Sequence, residues 1–508
     1  MRTGIPLTTR TDRLAGCTLL ALLLCACSGG GSLPAPPPAA PVRGTLVQNP
    51  PHLVTTLTVV ELLQQLNAPV NLQLLALAGT PLCDIGVFHL EYNTVGARAE
   101  ATTASAALLV PAGLDARCHG ARPIVLYAHG TSTDRAYNIA DLRDPQNAEG
   151  LLLAALFASQ GYIVVAPNYA GYDTSTLGYH AYLNADQQSK DMIDALSAAR
   201  QGLPAAGLLL ITDGGQLYLT GYSQGGYVAM ATQRAMQAAG MRVTAAAPMS
   251  GPYALAAFFD AVMSGQVDGG APVFVTLLIS GYQRAYGNIY AASADLFEAQ
   301  YASGIESLLP GTLSRGELYS RGLLPQYALF SAIPPDPVYA GITPATQPAH
   351  FVNLFALGFG SGNLIRNSYR LAYLQDLASA SPQLPLRQAL ARNDLRNWRP
   401  SAPTLLCGGD GDPIVFWLNT QLMQDYWAAL PPAATDITVL NLEAPVASAD
   451  PYGALKGDFV LARQAVALNA IAQGASDGGE RAVFEAYHAT LVAPFCLAAV
   501  REFFASHP

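Results

Sequence analysis

The sequence predicts an α/β protein, a mostly parallel, doubly wound sheet carrying one large and mainly helical insertion. Three observations predict it. Short β-branched apolar runs alternate with segments of helical spacing, the rhythm of strand–helix–strand units. That rhythm breaks after Tyr253 and resumes near Trp398. And 508 residues with 51% hydrophobic and only 12% charged side chains hold enough apolar material for one large domain with insertions, or for two domains.

The elements follow in order. Gly86 to Thr94 and Ala101 to Val110 read as an antiparallel opening pair. "PIVLYAHG", Pro123 to Gly130, is a continuous apolar run fit for a buried strand. "LLLAALFASQGY" is a helix stopped at Gly161, and "YIVVAPNY" the next strand. "DQQSKDMIDALSAARQG" places Met192, Ile193, Leu196 and Ala199 at helical spacing, with Gly202 as its stop. "QLYLTGYSQGG" repeats the strand–turn pattern before a helix from Gln224 to Ala239, and "VTAAAPMSGPY" is a further strand. The segment 253–398 reads mainly helical. It is far longer than an ordinary crossover and is expected to form a cap. Strands return with "APTLLCGGDGDPIV" and "ITVLNLEAP", and "LVAPFCLAAVREFFAS" is the last helix. The resulting division is core 51–252, cap 253–398 and core 399–508.

The N-terminus reads as an export signal over residues 1–27. Arg2, Arg10 and Arg13 precede an apolar run from Leu14 to Ala26, too short to span a bilayer as a helix. The run ends in Leu24-Cys25-Ala26-Cys27, which resembles a bacterial lipobox with Cys27 as the lipidated residue. The unusual Cys25 leaves an ordinary signal peptide cut nearby as the alternative. Residues 28–50 form a Gly/Ser- then Pro-rich tether, and Ser28 resembles the residue that favours the outer membrane in other lipoproteins. No later run of about 18 apolar residues is evident, so the body is expected to be soluble. Four cysteines remain beyond the signal. They allow three pairings, of which Cys83–Cys118 with Cys407–Cys496 is favoured; free buried thiols are the alternative. No C-x-x-C or paired histidines point to a metal, and no basic run points to nucleic acid.

Gly221-Tyr222-Ser223-Gln224-Gly225 matches G-x-S-x-G between a predicted strand and a predicted helix. A serine on so tight a turn needs neighbours nearly free of side chains, which Gly221 and Gly225 supply. Its hydroxyl is a poor nucleophile without a base that an acid orients. The partners should follow in the order Ser, Asp or Glu, His. Only His350, His488 and His507 lie after Ser223. His350 falls in the expected cap and His507 at the frayed end, which leaves His488, in a loop before the last helix. For the acid, Asp412 fits the spacing to Gly409, Ile414 and Val415, and Asp410 is the competitor. The Gln224 backbone N–H is one oxyanion donor. His129-Gly130-Thr131 offers the second through Thr131, with His129 bracing that turn.

These motifs resemble the α/β-hydrolase superfamily. "YAHGT", "GYIVVAPNYAGYD", "GYSQGG" and the insertion before "CGGDGDPIV" are similar to secreted lipases and esterases of the Candida lipase A type and their bacterial relatives. The resemblance implies an α/β-hydrolase fold, carboxylic ester hydrolysis through an acyl-enzyme on Ser223, and no cofactor. Asn168 departs from it, standing where many relatives carry Asp, and the long stretch between "ITVLNLE" and His488 has no good counterpart. Hydrophobic esters are the expected substrates: acylglycerols, shorter aliphatic esters or aliphatic polyesters, which the sequence does not rank. Two other readings stay open. One is a serine peptidase of the prolyl-oligopeptidase type; the other is a silent surface-binding protein that kept the fold.

Overall fold

Nine strands form one sheet: β1 (His52–Leu57), β2 (Asp84–Val95), β3 (Ala101–Ala112), β4 (Gly120–Ala128), β5 (Ile163–Pro167), β6 (Ile211–Tyr222), β7 (Ala245–Met249), β8 (Thr404–Gly408) and β9 (Ile437–Asn441). Their order is β1-β2-β3-β5-β4-β6-β7-β8-β9. The first three strands and their junction with β5 are antiparallel, and every pair from β5 to β9 is parallel. In this computed structural model the described residues are 41–68, 72–144, 147–206, 210–341, 354–379, 381–431 and 435–508. Cys27, most of the tether and His350 lie outside them.

The central strands β5, β7 and β8 are buried at every residue, as a sheet covered on both faces requires. The chain leaves β4 for β5 on one side and returns to β6 on the other, so the carboxyl ends of β4 and β6 diverge into a crevice. Both the Ser223 turn and the His129–Thr131 turn open there. Ala128 is in register with Gly221, and Met249 with Tyr222, which fixes the serine between two neighbouring strand ends.

Several expectations need correction. Gly202 does not stop its helix, which runs Ala185–Ala206 through Pro204. A Cβ at Gly202 would come 2.7 Å from Pro51 Cγ, so this glycine serves the close passage of the N-terminal segment instead. His488 lies in no loop. It sits in a π-helical turn, Tyr487–Val492, between the helices Glu480–Ala486 and Ala493–Ala505. Pro494 lacks the N–H that an α-helix would return to the carbonyl four residues back, and such wide turns take up that defect. The stretch Glu480–Ala505 is also long and apolar enough to cross a membrane, contrary to expectation, but 67% of its apolar window is buried inside the protein. His507 is not frayed: its carbonyl accepts from Tyr218 at 2.7 Å and its ring packs on Phe503. The opening pair gains a third antiparallel strand, β1, followed by a helix Val59–Leu66 with a Thr58–Glu61 capping box.

Between β7 and β8 the described chain is helical, including Leu255–Met263, Ala271–Tyr286, Asn367–Leu377 and Pro385–Asn393. It is bonded to the sheet layer: Tyr227, on the helix that follows Ser223, donates to the Asn393 carbonyl at 2.7 Å. Its own core holds Arg370, buried over the Phe330 ring at 4.2 Å.

Two disulfides join Cys83 to Cys118 and Cys407 to Cys496, across 35 and 89 residues. The second ties β8, which leads into Asp412, to the helix that follows His488. In the chain-entropy account, closing a loop that long contributes about 4–5 kcal/mol. Replacing both Cys407 and Cys496 by Ala should therefore lower the unfolding free energy by roughly 3–5 kcal/mol in urea titration. An unchanged midpoint would contradict the clamp.

Candidate active site

The site starts from backbone strain. Ser223 has φ 61° and ψ −121°, a conformation that side chains rarely adopt. It is pinned by its N–H to the Met249 carbonyl at 3.0 Å, and the helix Gln224–Ala238 departs at once. A Cβ on Gly225 would overlap the Ala128 carbonyl, and one on Gly221 the carbonyl of Gly225. Only glycine lets β4 and the turn come this close. The serine side chain is thereby placed at the helix N-terminus, where the peptide dipoles favour negative charge.

Three of the sequence-predicted residues meet in one line. His488 Nε2 lies 2.8 Å from Ser223 Oγ, and His488 Nδ1 lies 2.7 Å from Asp412 Oδ2. Asp412 is 2% exposed, and its other oxygen accepts the N–H groups of Ile414 at 3.0 Å and Val415 at 3.1 Å. With Oδ1 so occupied, Oδ2 is held toward the imidazole. Asp410 faces solvent instead. Tyr222 donates to the His488 carbonyl and packs its ring 4.9 Å from the imidazole. Glu443, at the end of β9, accepts from Gly411 N–H at 2.6 Å, from Tyr487, and from Arg463 at 2.6 Å, fixing the turn that carries Asp412.

The His129–Thr131 turn is braced from below. Glu149 accepts Gly130 N–H with both oxygens, at 3.0 and 3.1 Å, and Tyr127 OH at 2.8 Å. Burial pushes this carboxyl up to about 7. His129 is buried and stacks on Tyr169, its ring centroid 4.2 Å away. Asn168 has a structural role, its side chain bridging Ile139 N–H at 2.8 Å and Ser105 Oγ at 2.8 Å. Thr131 Oγ1 pairs with Tyr182 OH at 2.9 Å. Among the described residues, neither Thr131 N–H nor Gln224 N–H has a hydrogen-bond acceptor. Two free donors therefore remain beside Ser223.

Two cavities lie near this point, one bordered by Thr131 and Tyr222 and the other by Ser223 and Gln224. A wide one of about 600 Å³, lined by both polar and apolar groups, borders Thr131, Tyr222, Glu149, Arg315 and Ala489. A narrow one of about 50 Å³ is lined by Ser223, Gln224, Phe258, Phe259, Leu278 and Asp268. No cluster of three or more metal-ligating side chains occurs among the described residues.

Behind the elbow runs a support that sequence reasoning did not find. Gln224 Nε2 donates to His180 Nε2 at 2.7 Å, and His180 Nδ1 lies 3.1 Å from the Ala170 carbonyl, which fixes a neutral ring protonated on Nδ1. Burial holds His180 down at about 3. Ala170 N–H in turn donates to Asp191 Oδ2 at 2.6 Å, and Tyr92 OH to Asp191 Oδ1 at 2.8 Å. Burial first, and then the Asp194 carboxylate, push Asp191 up to about 7. A carboxyl raised this way favours the fold while protonated. Its contribution is fully present below pH 3.8 and lost as the pH rises toward 7. Asp191→Asn should therefore gain stability relative to the parent between pH 4 and pH 7.5, read as a rising difference in urea midpoints. A difference independent of pH would contradict the assignment.

Comparison with known proteins places this geometry. Residues 152–255, from the helix before β5 to just beyond β7, match the prolyl oligopeptidase family. The rice cell wall degrading esterase LipA from Xanthomonas oryzae superposes with a TM-score of 0.67 at 26% identity, over 92% of this chain and 100% of that one. A hydrolase from Legionella pneumophila gives 0.61 at 18% identity, over 90% and 96%. Candida antarctica lipase A overlaps more loosely, with a TM-score of 0.48 at 15% identity over 83% and 82%. None of the curated proteins matches the chain in sequence. With its strained serine turn at the sheet's switch point, its match to the prolyl oligopeptidase family and its likeness to the esterase LipA, the chain is a serine hydrolase of the α/β-hydrolase type.

Proposed function

We propose that the protein hydrolyses carboxylic esters through an acyl-enzyme on Ser223. The observation that carries the reading is the single hydrogen-bonded line from Asp412 through His488 to Ser223 Oγ. His488 takes the hydroxyl proton through Nε2 as Oγ attacks the ester carbonyl, and Asp412 stabilises the imidazolium through Nδ1–H. The free N–H groups of Gln224 and Thr131 receive the oxyanion, a contribution of about 3 kcal/mol for each such donor. His488 then returns the proton to the leaving alcohol, and water repeats the cycle with the roles reversed.

The two cavities divide the substrate. The narrow, largely apolar one fits the acyl group, and its small volume favours short chains; the large one, of mixed lining, takes the alcohol side. Resemblance to LipA supports esters over other acyl compounds. A second reading has its own support, because the matched stretch 152–255 belongs to a peptidase family. Peptide hydrolysis would use the same serine. For location, the two disulfides are compatible with export to an oxidising compartment. We propose attachment through lipid on Cys27, with the segment to residue 50 as a tether to the membrane surface.

The test is hydrolysis of p-nitrophenyl esters from acetate to palmitate, with short peptide amides in parallel. The expected result is turnover that peaks at short acyl chains and falls about 10⁴-fold or more in Ser223→Ala. The double variant Ser223→Ala/His488→Ala should lose no more than the single one, since the two act as a unit. Cleavage of peptides but not of esters would overturn the ester reading in favour of the peptidase.

A further inference from the structure

Away from Ser223, Gln224 and Tyr182, the acyl-side cavity is apolar except at one place. Phe258, Phe259, Leu255, Val262 and Leu278 form its walls, and Asp268 is the one carboxyl among its lining residues. Asp268 is 6% exposed, and no cation pairs with it among the described residues. Its Oδ1 accepts the Gly270 N–H at 2.8 Å, which turns the chain into the helix Ala271–Tyr286. The second oxygen has no partner among the described residues. The loop is also fixed against the acid of the triad line, because Gly269 N–H donates to the Pro413 carbonyl at 3.1 Å. The carboxyl therefore holds a set position in the cavity that opens on Ser223.

If its only role were to turn the chain, Ser or Asn would serve without the cost of burying a charge. Desolvation first, with the Asp412 carboxylate adding to it, pushes Asp268 up to about 8, so at neutral pH the group is the acid and carries a proton. With no hydrogen bond to its second oxygen among the described residues, the carboxylic acid presents a donor to the cavity. An alkyl chain leaves that donor unpaired, whereas a chain bearing an oxygen satisfies it.

We propose that Asp268 is a specificity-determining residue that selects acyl groups carrying a hydroxyl or keto oxygen over plain alkyl chains. The proposal rests on the esterase reading and names the substrate class of that same site. Asp268 contacts the acyl chain and takes no part in proton transfer.

The experiment compares kcat/KM for p-nitrophenyl butyrate, 3-hydroxybutyrate and 4-oxopentanoate, in the full-length protein and in Asp268→Leu and Asp268→Asn. The expected result is a preference of about tenfold for the oxygenated esters, the discrimination that one buried hydrogen bond provides. That preference should vanish in Asp268→Leu and survive in Asp268→Asn, whose amide still accepts from Gly270 and still donates into the cavity. Equal rates on plain and oxygenated esters in the parent protein would overturn this proposal and leave the esterase reading intact. So would an unchanged preference in Asp268→Leu. Should Asp268→Leu not fold, the parent preference and its survival in Asp268→Asn decide the matter. No turnover of any ester overturns both readings together.

Discussion

The structure depends on one close approach, the crossing of the Ser223 turn between the ends of β4 and β7. Nothing larger than hydrogen fits at Gly221 or Gly225, because the carbonyls of Ala128 and Gly225 already occupy the space. The strain this imposes on Ser223 is of the order of 1–3 kcal/mol and persists only because the neighbours over-determine it. The same crossing brings the β4 turn, with its free Thr131 N–H, next to the helix that begins at Gln224. The placement of Ser223 and of the two free N–H groups thus follows from a single backbone contact.

Around that contact, polar groups are buried in pairs that leave little freedom. Glu149 holds Gly130, Glu443 holds Gly411, and His180 holds Gln224. Each fixes a backbone or side-chain group one or two residues from a site residue. The arrangement moves the cost of order away from Ser223 and His488, so that their alignment is held in advance. The two cavities differ in character, one narrow and largely apolar, the other wide and lined by both polar and apolar groups.

Much of this was legible because the chemistry restricts residue types at strand ends. Ser223 stood out through the glycines that its turn requires; the order rule then reduced eight histidines to three, and their positions in the chain left His488. The structure brings Asp412 rather than Asp410 to that imidazole. The supports were not legible. Glu149, His180, Asp191 and Asp268 carry no local pattern, and each acquires its meaning from partners far away in sequence, as with Gln224 and His180. Gly202 looked like a helix stop because its true neighbour, Pro51, lies far back in the chain. The setting of His488 was missed for a different reason: helical periodicity does not reveal a π-turn.

The central claim is that Ser223 Oγ is an activated nucleophile because His488 and Asp412 are aligned on it. The most direct measurement is labelling with a fluorophosphonate, located by peptide mass spectrometry and timed in the parent protein and in His488→Ala. The account predicts one equivalent of label on Ser223 and a rate that collapses without His488. Label on another residue, or labelling of Ser223 at the same rate in His488→Ala, would contradict it.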